Sequence, residues 1–273
     1  METLKIEGSS SRPIPIDFYP ADQAQAPLVI FVHGFKGFKD WGTHHLIADF
    51  FNRQGFSFLK FNFSHNGMTQ DQKELFDDLP AFGANTFSRE LFDLDEVLTF
   101  SLSGEAFSSP KKIFLIGHSR GGGISIIQTA EDPRISKLAT WASVSRFNNL
   151  WKPEQEKEWK KNGVIYTSNS RTKQEMPLNL TLLEDFEQHS EKLNISNAAS
   201  SIKQPWLIIH GDNDTGVAVE QAQELHRQNT KSILKIIPNG DHVFGARHPW
   251  KEETLPPILS EVCKTTAAFF SAP

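Results

Sequence analysis

Cysteine is nearly absent. Among 273 residues there is one, Cys263, which excludes an intramolecular disulfide and any multi-cysteine zinc or iron–sulfur site, and points to a reducing compartment. Tyrosine is scarce too, with 2 against 22 Phe and 6 Trp, so the aromatic surfaces of this chain carry few hydroxyls. No apolar run approaches the roughly 20 residues that span a bilayer. The opening METLKIEGSSSRPIPIDFYP also lacks the roughly 7 to 15 apolar residues of a secretory signal. The expectation is a cytoplasmic protein. Neither sign of charge dominates: 28 Lys and Arg are interspersed with 33 Asp and Glu for a net charge of −5, leaving no basic stripe for nucleic acid and no polybasic patch for a membrane. What is present is 38% hydrophobic and 22% charged residues, the composition of a globular chain with a real core. Its length fits one large domain or two small ones at roughly 150 residues each.

Short β-rich apolar runs recur at Pro27 to Val32, Phe56 to Phe61, Lys112 to Gly117, Leu138 to Val144, Pro205 to His210 and Ile233 to Ile237. Helix-like segments lie between them: Thr43 to Gln54, Asn85 to Ser103, Ser119 to Glu131, Val217 to Asn229 and Glu252 to Phe270. Runs such as LVIFV and KIFLI are apolar on both faces, so the alternation predicts an α/β fold with a mostly parallel sheet covered by helices on each side. Thr3 to Glu7 and Pro13 to Phe18 predict an antiparallel hairpin at its edge.

One interval breaks the rhythm. From Ser145 to about Lys203 the chain is charged and Asn-rich, with no run resembling a central strand. About 58 residues exceed an ordinary connection, so the expectation is a small structured insertion. Within it WKPEQEKEWKKNG predicts a helix ending at Gly163, VIYTSN a short strand and LTLLEDFEQHSEKL an amphipathic helix. The predicted organisation is a body of residues 1–145 and 204–273 with a cap of 146–203.

The strongest local signal is KKIFLIGHSRGGGISIIQ, where Gly117, Ser119 and Gly121 form Gly-X-Ser-X-Gly directly after a strand and directly before a helix. A serine on such a turn takes strained backbone angles and projects its hydroxyl, and the flanking positions must lack side chains. The helix N-terminus brings unsatisfied N–H groups to the place where an oxyanion would form. A nucleophilic serine needs a base and an acid that orients the base. Asp214 in HGDNDTGV follows the strand PWLIIH, and His242 in NGDHVFG follows KSILKIIP. In open α/β sheets sites form at the carboxyl ends of the strands, where these three side chains can converge.

In these motifs the chain resembles the α/β-hydrolase-fold serine hydrolases over nearly its whole length apart from the insertion. HGFKG at His33 to Gly37 resembles the family's oxyanion loop, which implies the backbone N–H groups of Phe35 and Arg120 as donors. FNFSHNGM at Phe61 to Met68 resembles the loop after the fourth strand, with a single Gly67 where the family has more. HGDNDTGV fits the family's H-G-x-x-D-x-x-V, which implies Asp214 rather than Asp212 as the acid. MPL at Met176 to Leu178 and the mixed helix-strand cap resemble bacterial carboxylesterases of the cinnamoyl and feruloyl esterase and dienelactone-hydrolase-like group.

The resemblance implies a serine carboxylesterase that works through an acyl-enzyme without metal or organic cofactor. Its partner would be a small-molecule ester, with neither nucleic acid nor membrane, and a homodimer remains open. Activity should rise with pH as His242 deprotonates. Candidate pocket residues are His118, Tyr166 and Phe244, with His248 the rival base. His33 and His210 are expected to hydrogen-bond the loops around the site, and His65 to approach the cleft. The Arg120 side chain is expected to pack away from the substrate. Phe35, Phe38, Phe61, Phe63, Phe76, Phe82, Phe87 and Phe244 fall near predicted cleft loops, and with so little Tyr this favours apolar or aromatic acyl groups. Two other readings stay open: an S33-like serine peptidase such as an aminopeptidase, whose acidic grip on an α-amine would come from the cap, and a non-enzymatic ligand receptor on the same fold.

Overall fold

The computed structural model describes residues 1–69 and 75–273. Ten strands and nine α-helices follow one another in those residues. An eight-stranded sheet is ordered β1 (Glu2–Glu7), β2 (Pro13–Tyr19), β4 (Ser57–Phe61), β3 (Leu28–Val32), β5 (Ile113–His118), β6 (Ile135–Trp141), β9 (Trp206–Gly211), β10 (Ile233–Ile237). The β1–β2 and β2–β4 pairs are antiparallel and the other pairs parallel, as the edge hairpin and the doubly apolar runs predict.

Strand β3 shows why both faces are covered. Leu28, Ile30 and Val32 enter one apolar core, while Val29 and Phe31 enter the other. Helices α3 (Phe87–Ser103), α4 (Arg120–Glu131) and α8 (Glu220–Gln228) place Leu94, Ile124 and Leu225 in the first. Helices α1 (His44–Arg53) and α9 (Pro257–Ser271) place Phe51 and Val262 in the second. Two of the boundaries that differ from the sequence reading have a local cause. Helix α9 starts at Pro257 rather than Glu252, because a residue before proline disfavours helix while proline suits its first turn. Strand β6 spans Ile135–Trp141 and ends at Ala142, whose φ of 48° takes the chain out of extended geometry. A short helix α2 (Leu79–Gly83), capped by the Asp78 carboxylate accepting from the Ala81 N–H at 3.0 Å, adds an element to the predicted set.

The interval between β6 and β9 holds α5 (Pro153–Asn162), β7 (Val164–Ser168), β8 (Glu175–Asn179), α6 (Leu180–Gln188) and α7 (Ile195–Ser201). The first helix ends at Gly163 in the left-handed conformation, where the sequence puts its stop. Strands β7 and β8 form a separate antiparallel ribbon. Trp151, Trp159 and Phe186 pack edge-on and, through Phe87 of α3, continue the main core into this region. Helix α7 instead lies on α4, where Ile195 fills the space beside Gly123.

Candidate active site

The loops after β5, β9 and β10 meet at the carboxyl ends of the sheet. Between β5 and α4, Ser119 has φ 56° and ψ −121°, a left-side conformation rarely held by a residue with a side chain. Its neighbours permit it. A Cβ on Gly121 would strike the backbone oxygens of Val32 and His33, and one on Gly117 would meet the Gly121 carbonyl 2.7 Å away. On the facing loop, a Cβ on Gly34 would lie 2.8 Å from the Ser119 Cβ.

Ser119 Oγ lies 3.0 Å from His242 Nε2, and His242 Nδ1 lies 2.8 Å from Asp214 Oδ2. A carboxylate only accepts, so Nδ1 carries the proton and Nε2 is the acceptor for the serine hydroxyl. The Asp214 side chain is fully buried, and its other oxygen accepts the Gly216 and Val217 N–H groups, each at 2.8 Å. His210 Nε2 stands 3.2 Å from the first oxygen and also donates to the Val217 carbonyl at 2.8 Å. Burial alone would raise the Asp214 carboxyl, but hydrogen bonds from His210, His242 and Val217 hold it well below the usual carboxylate range.

The neighbouring residues are engaged elsewhere. Asp212 accepts the Asn239 N–H at 2.6 Å, and Asp241 accepts the N–H groups of Val243 and Gly245. His248 Nδ1 accepts the Gly42 N–H at 2.7 Å, while it is His242 that holds the serine hydroxyl. His118 Nε2 donates to the His242 carbonyl at 2.8 Å, anchoring the loop that carries the imidazole. Burial and the nearby His242 push its pKa down to about 3, so it stays neutral. His33 holds the Gly34 carbonyl at 2.9 Å from Nδ1 and is pushed down to about 4 by burial. His65 bonds Ser64 at 2.8 Å and does not line the cavity beside Ser119.

Two backbone N–H groups belong to this serine's turn and the loop beside it. Arg120 is the first residue of α4, so its N–H has no partner inside the helix. The Phe35 N–H donates to no acceptor among the described residues. The Arg120 side chain turns away, ion-paired with the buried Glu90 of α3, and its guanidinium lies 4.7 Å over the Phe35 ring. One side chain therefore ties the serine's turn to the facing loop.

A cavity of about 400 Å³ opens beside Ser119 and His242. Its aromatic walls are Phe31, Phe35, Trp41, Trp141 and Phe244, with His118 beneath. The expectation for the other loop phenylalanines needs correction: Phe38, Phe61, Phe63, Phe76, Phe82 and Phe87 are packed into the main core and only Phe35 and Phe244 of the named set reach the cavity. Tyr166 also needs correction. Alternation along β7 buries Ile165 and turns Tyr166 outward, 58% exposed and away from the cavity lining. The part of this ribbon that does reach the cavity is its tip, Asn169 to Arg171. Trp141 and Phe31 end core strands and gave no sequence signal of their own. Among the described residues no group of three or more His, Cys, Asp or Glu side chains is arranged to hold a metal ion. No helix among them is long and apolar enough to cross a membrane.

The prolyl oligopeptidase family model (Peptidase_S9) matches residues 82–255, well over half the chain and every turn that carries Ser119, Asp214 and His242. The chain belongs to the prolyl oligopeptidase family. It is thereby an α/β hydrolase, as the sequence motifs imply. No curated protein sequence matches it. Among solved structures, Est1E from Butyrivibrio proteoclasticus superposes with a TM-score of 0.70 at 17% identity, over 98% of this chain and 97% of that one. The same protein has been solved with ferulic acid bound. An esterase domain from Rhodothermus marinus superposes at 0.63 with 18% identity, covering 98% of this chain and 96% of that one. A puromycin-hydrolyzing peptidase of Mycobacterium tuberculosis gives 0.67 at 15% identity, covering 98% of this family member but 38% of the peptidase. At these identities the likeness is one of fold.

Proposed function

We propose that this α/β hydrolase is a serine carboxylesterase that cleaves small or medium esters with apolar or aromatic parts through an acyl-enzyme. The observation that carries the reading is the unbroken chain Ser119 Oγ, His242 Nε2, His242 Nδ1, Asp214 Oδ2 at 3.0 and 2.8 Å beside an aromatic cavity. His242 takes the serine proton as Oγ attacks the ester carbonyl, and Asp214 holds the imidazolium. The N–H groups of Phe35 and Arg120 receive the oxyanion, each such donor being worth about 100-fold to 1000-fold in rate. The imidazolium then protonates the leaving alcohol, and water hydrolyses the acyl-enzyme by the same relay. Nucleophile, base and acid are all side chains, so the mechanism calls on no cofactor.

Residues 146–203 act in this reading as a cap on a body of 1–145 and 204–273, its β7–β8 tip closing over the cavity. The phenylalanine and tryptophan walls, with no tyrosine among them, favour aromatic or apolar groups.

The family's peptidase name supports a second reading, cleavage of an amide by the same relay. An aminopeptidase must hold an α-ammonium with carboxylates, and none of the described residues lining this cavity is Asp or Glu. A panel of p-nitrophenyl and hydroxycinnamate methyl esters beside aminoacyl amides decides between them. Esters are expected to turn over and Ser119→Ala to abolish turnover; preferential cleavage of the amides would overturn the esterase reading.

A further inference from the structure

The protein carries a net charge of −5, yet the charged side chains that line the cavity beside Ser119 are, among the described residues, Lys36, Arg171 and Arg247. All three are cationic. The histidines around them do not offset this with negative charge, and His33, His44 and His118 are held neutral by burial. A cleft lined by one sign of charge with apolar walls concentrates ligands of the opposite sign.

Two of these cations, Lys36 and Arg247, meet neutral partners or a ring at the cavity rather than a carboxylate. Arg12, Arg120, Arg134 and Arg146 each pair with a carboxylate. Arg247, just beyond the His242 loop, instead lies 5.5 Å over the Trp250 ring, with no carboxylate within ion-pair distance among the described residues. Lys36 follows Phe35 directly. Its Nζ donates to Thr167 Oγ1 at 3.0 Å and to the Ser168 carbonyl at 2.7 Å, both neutral, and sits 5.1 Å over the Phe35 ring. An ammonium has three N–H donors, so one remains. Burial lowers the Lys36 pKa and Glu175, itself bonded to Ser168, only partly opposes this. A half-buried ammonium held without a counter-ion is stabilised by an anion that enters with the ligand.

We propose that the physiological substrate is an ester bearing a carboxylate, which Lys36 and Arg247 engage while the ester carbonyl lies at Ser119. This rests on the esterase reading of the same site and names its substrate class. The aromatic walls then take the apolar body of the molecule and the two cations its charged end.

The test uses matched pairs that differ in charge alone. Monomethyl terephthalate and methyl 4-carbamoylbenzoate place the charge on the acyl side, and 4-acetoxybenzoate and 4-acetoxybenzamide place it on the alcohol side. In at least one pair the carboxylate is expected to have a kcat/KM about 10-fold to 100-fold above its neutral twin. That ratio should fall at least about fivefold in Arg247→Gln and in Lys36→Met, and further in the double variant. Because the ratio compares two substrates of one preparation, loss of folded enzyme cancels. Neutral twins turned over as fast as the anions in both pairs, or a ratio unmoved in the double variant, would overturn the charge assignment and leave the esterase reading standing. Failure of a fluorophosphonate to label Ser119 would overturn both.

Discussion

Glu90→Leu is expected to destabilise the protein sharply, and adding Arg120→Met to relieve much of that loss. The two side chains are 1% and 7% exposed and ion-paired. Burial raises the Glu90 carboxyl and lowers the Arg120 guanidinium despite their mutual attraction, so desolvation outweighs the Coulomb gain for each. Breaking such a pair strands a buried charge at about 3 to 5 kcal/mol, whereas replacing both partners with apolar groups is close to neutral. For 273 residues the unfolding entropy is about 0.6 kcal/mol/K, so the single variant should melt about 5 to 9 °C lower and the double variant about 2 to 5 °C lower, since it still strands the buried Asn85 amide that Glu90 accepts from. Differential scanning calorimetry reads both. The double variant also loses the guanidinium 4.7 Å over Phe35, which couples the two proposed oxyanion donors, so its kcat should drop about 10-fold or more with little change in KM. A single variant that melts within 2 °C of wild type, or a double variant as unstable as the single, would refute this account of the pair.

Three further outcomes follow from the site and its surroundings. Asp214→Asn should lower kcat about 1000-fold or more in steady-state kinetics, because an amide in place of the buried acceptor favours the wrong His242 tautomer. Gly34→Ala should reduce kcat at least about 100-fold while the melting temperature falls only a few degrees, since the new Cβ would sit 2.8 Å from the Ser119 Cβ and must push the loops apart. Stability should decline in acid: His33 and His65 are lowered from 6.5 to about 4, so the unfolded chain binds their protons first. Their contribution is complete above about pH 6.5 and is lost on descent toward pH 4, roughly 2 kcal/mol per histidine at pH 5. Urea titrations at pH 7 and pH 5 measure this, and equal midpoints would contradict the buried neutral histidines.

What could be read from the sequence was what local chemistry dictates. The Gly117, Ser119 and Gly121 spacing encodes a turn that no bulkier flanks allow, and doubly apolar runs such as LVIFV encode central strands. The chain order of Ser119, Asp214 and His242 places them after β5, β9 and β10, and the sheet brings them within hydrogen-bond reach. The cavity walls were less legible. Trp141 and Phe31 read as ordinary strand residues, and their role depends on where the strands stop. Strand β8 contains Pro177, which reads as a strand breaker, yet it pairs opposite Tyr166 in a two-stranded ribbon whose edges tolerate a missing donor. Tyr166 faces away from the cavity because alternation along β7 buries Ile165 instead, a choice of face that the sequence of a short ribbon does not settle. Lys36, Arg171 and Arg247 lie far apart in the chain, and only the folded loops gather them at one cavity.

The most direct measurement of the central claim is the intact mass of the protein after treatment with a fluorophosphonate, with the adduct located by peptide mapping. The account predicts one adduct per chain, on Ser119, formed quickly in the wild type, slowly in His242→Ala and never in Ser119→Ala. An unlabelled wild type, or an adduct retained in Ser119→Ala, would contradict it.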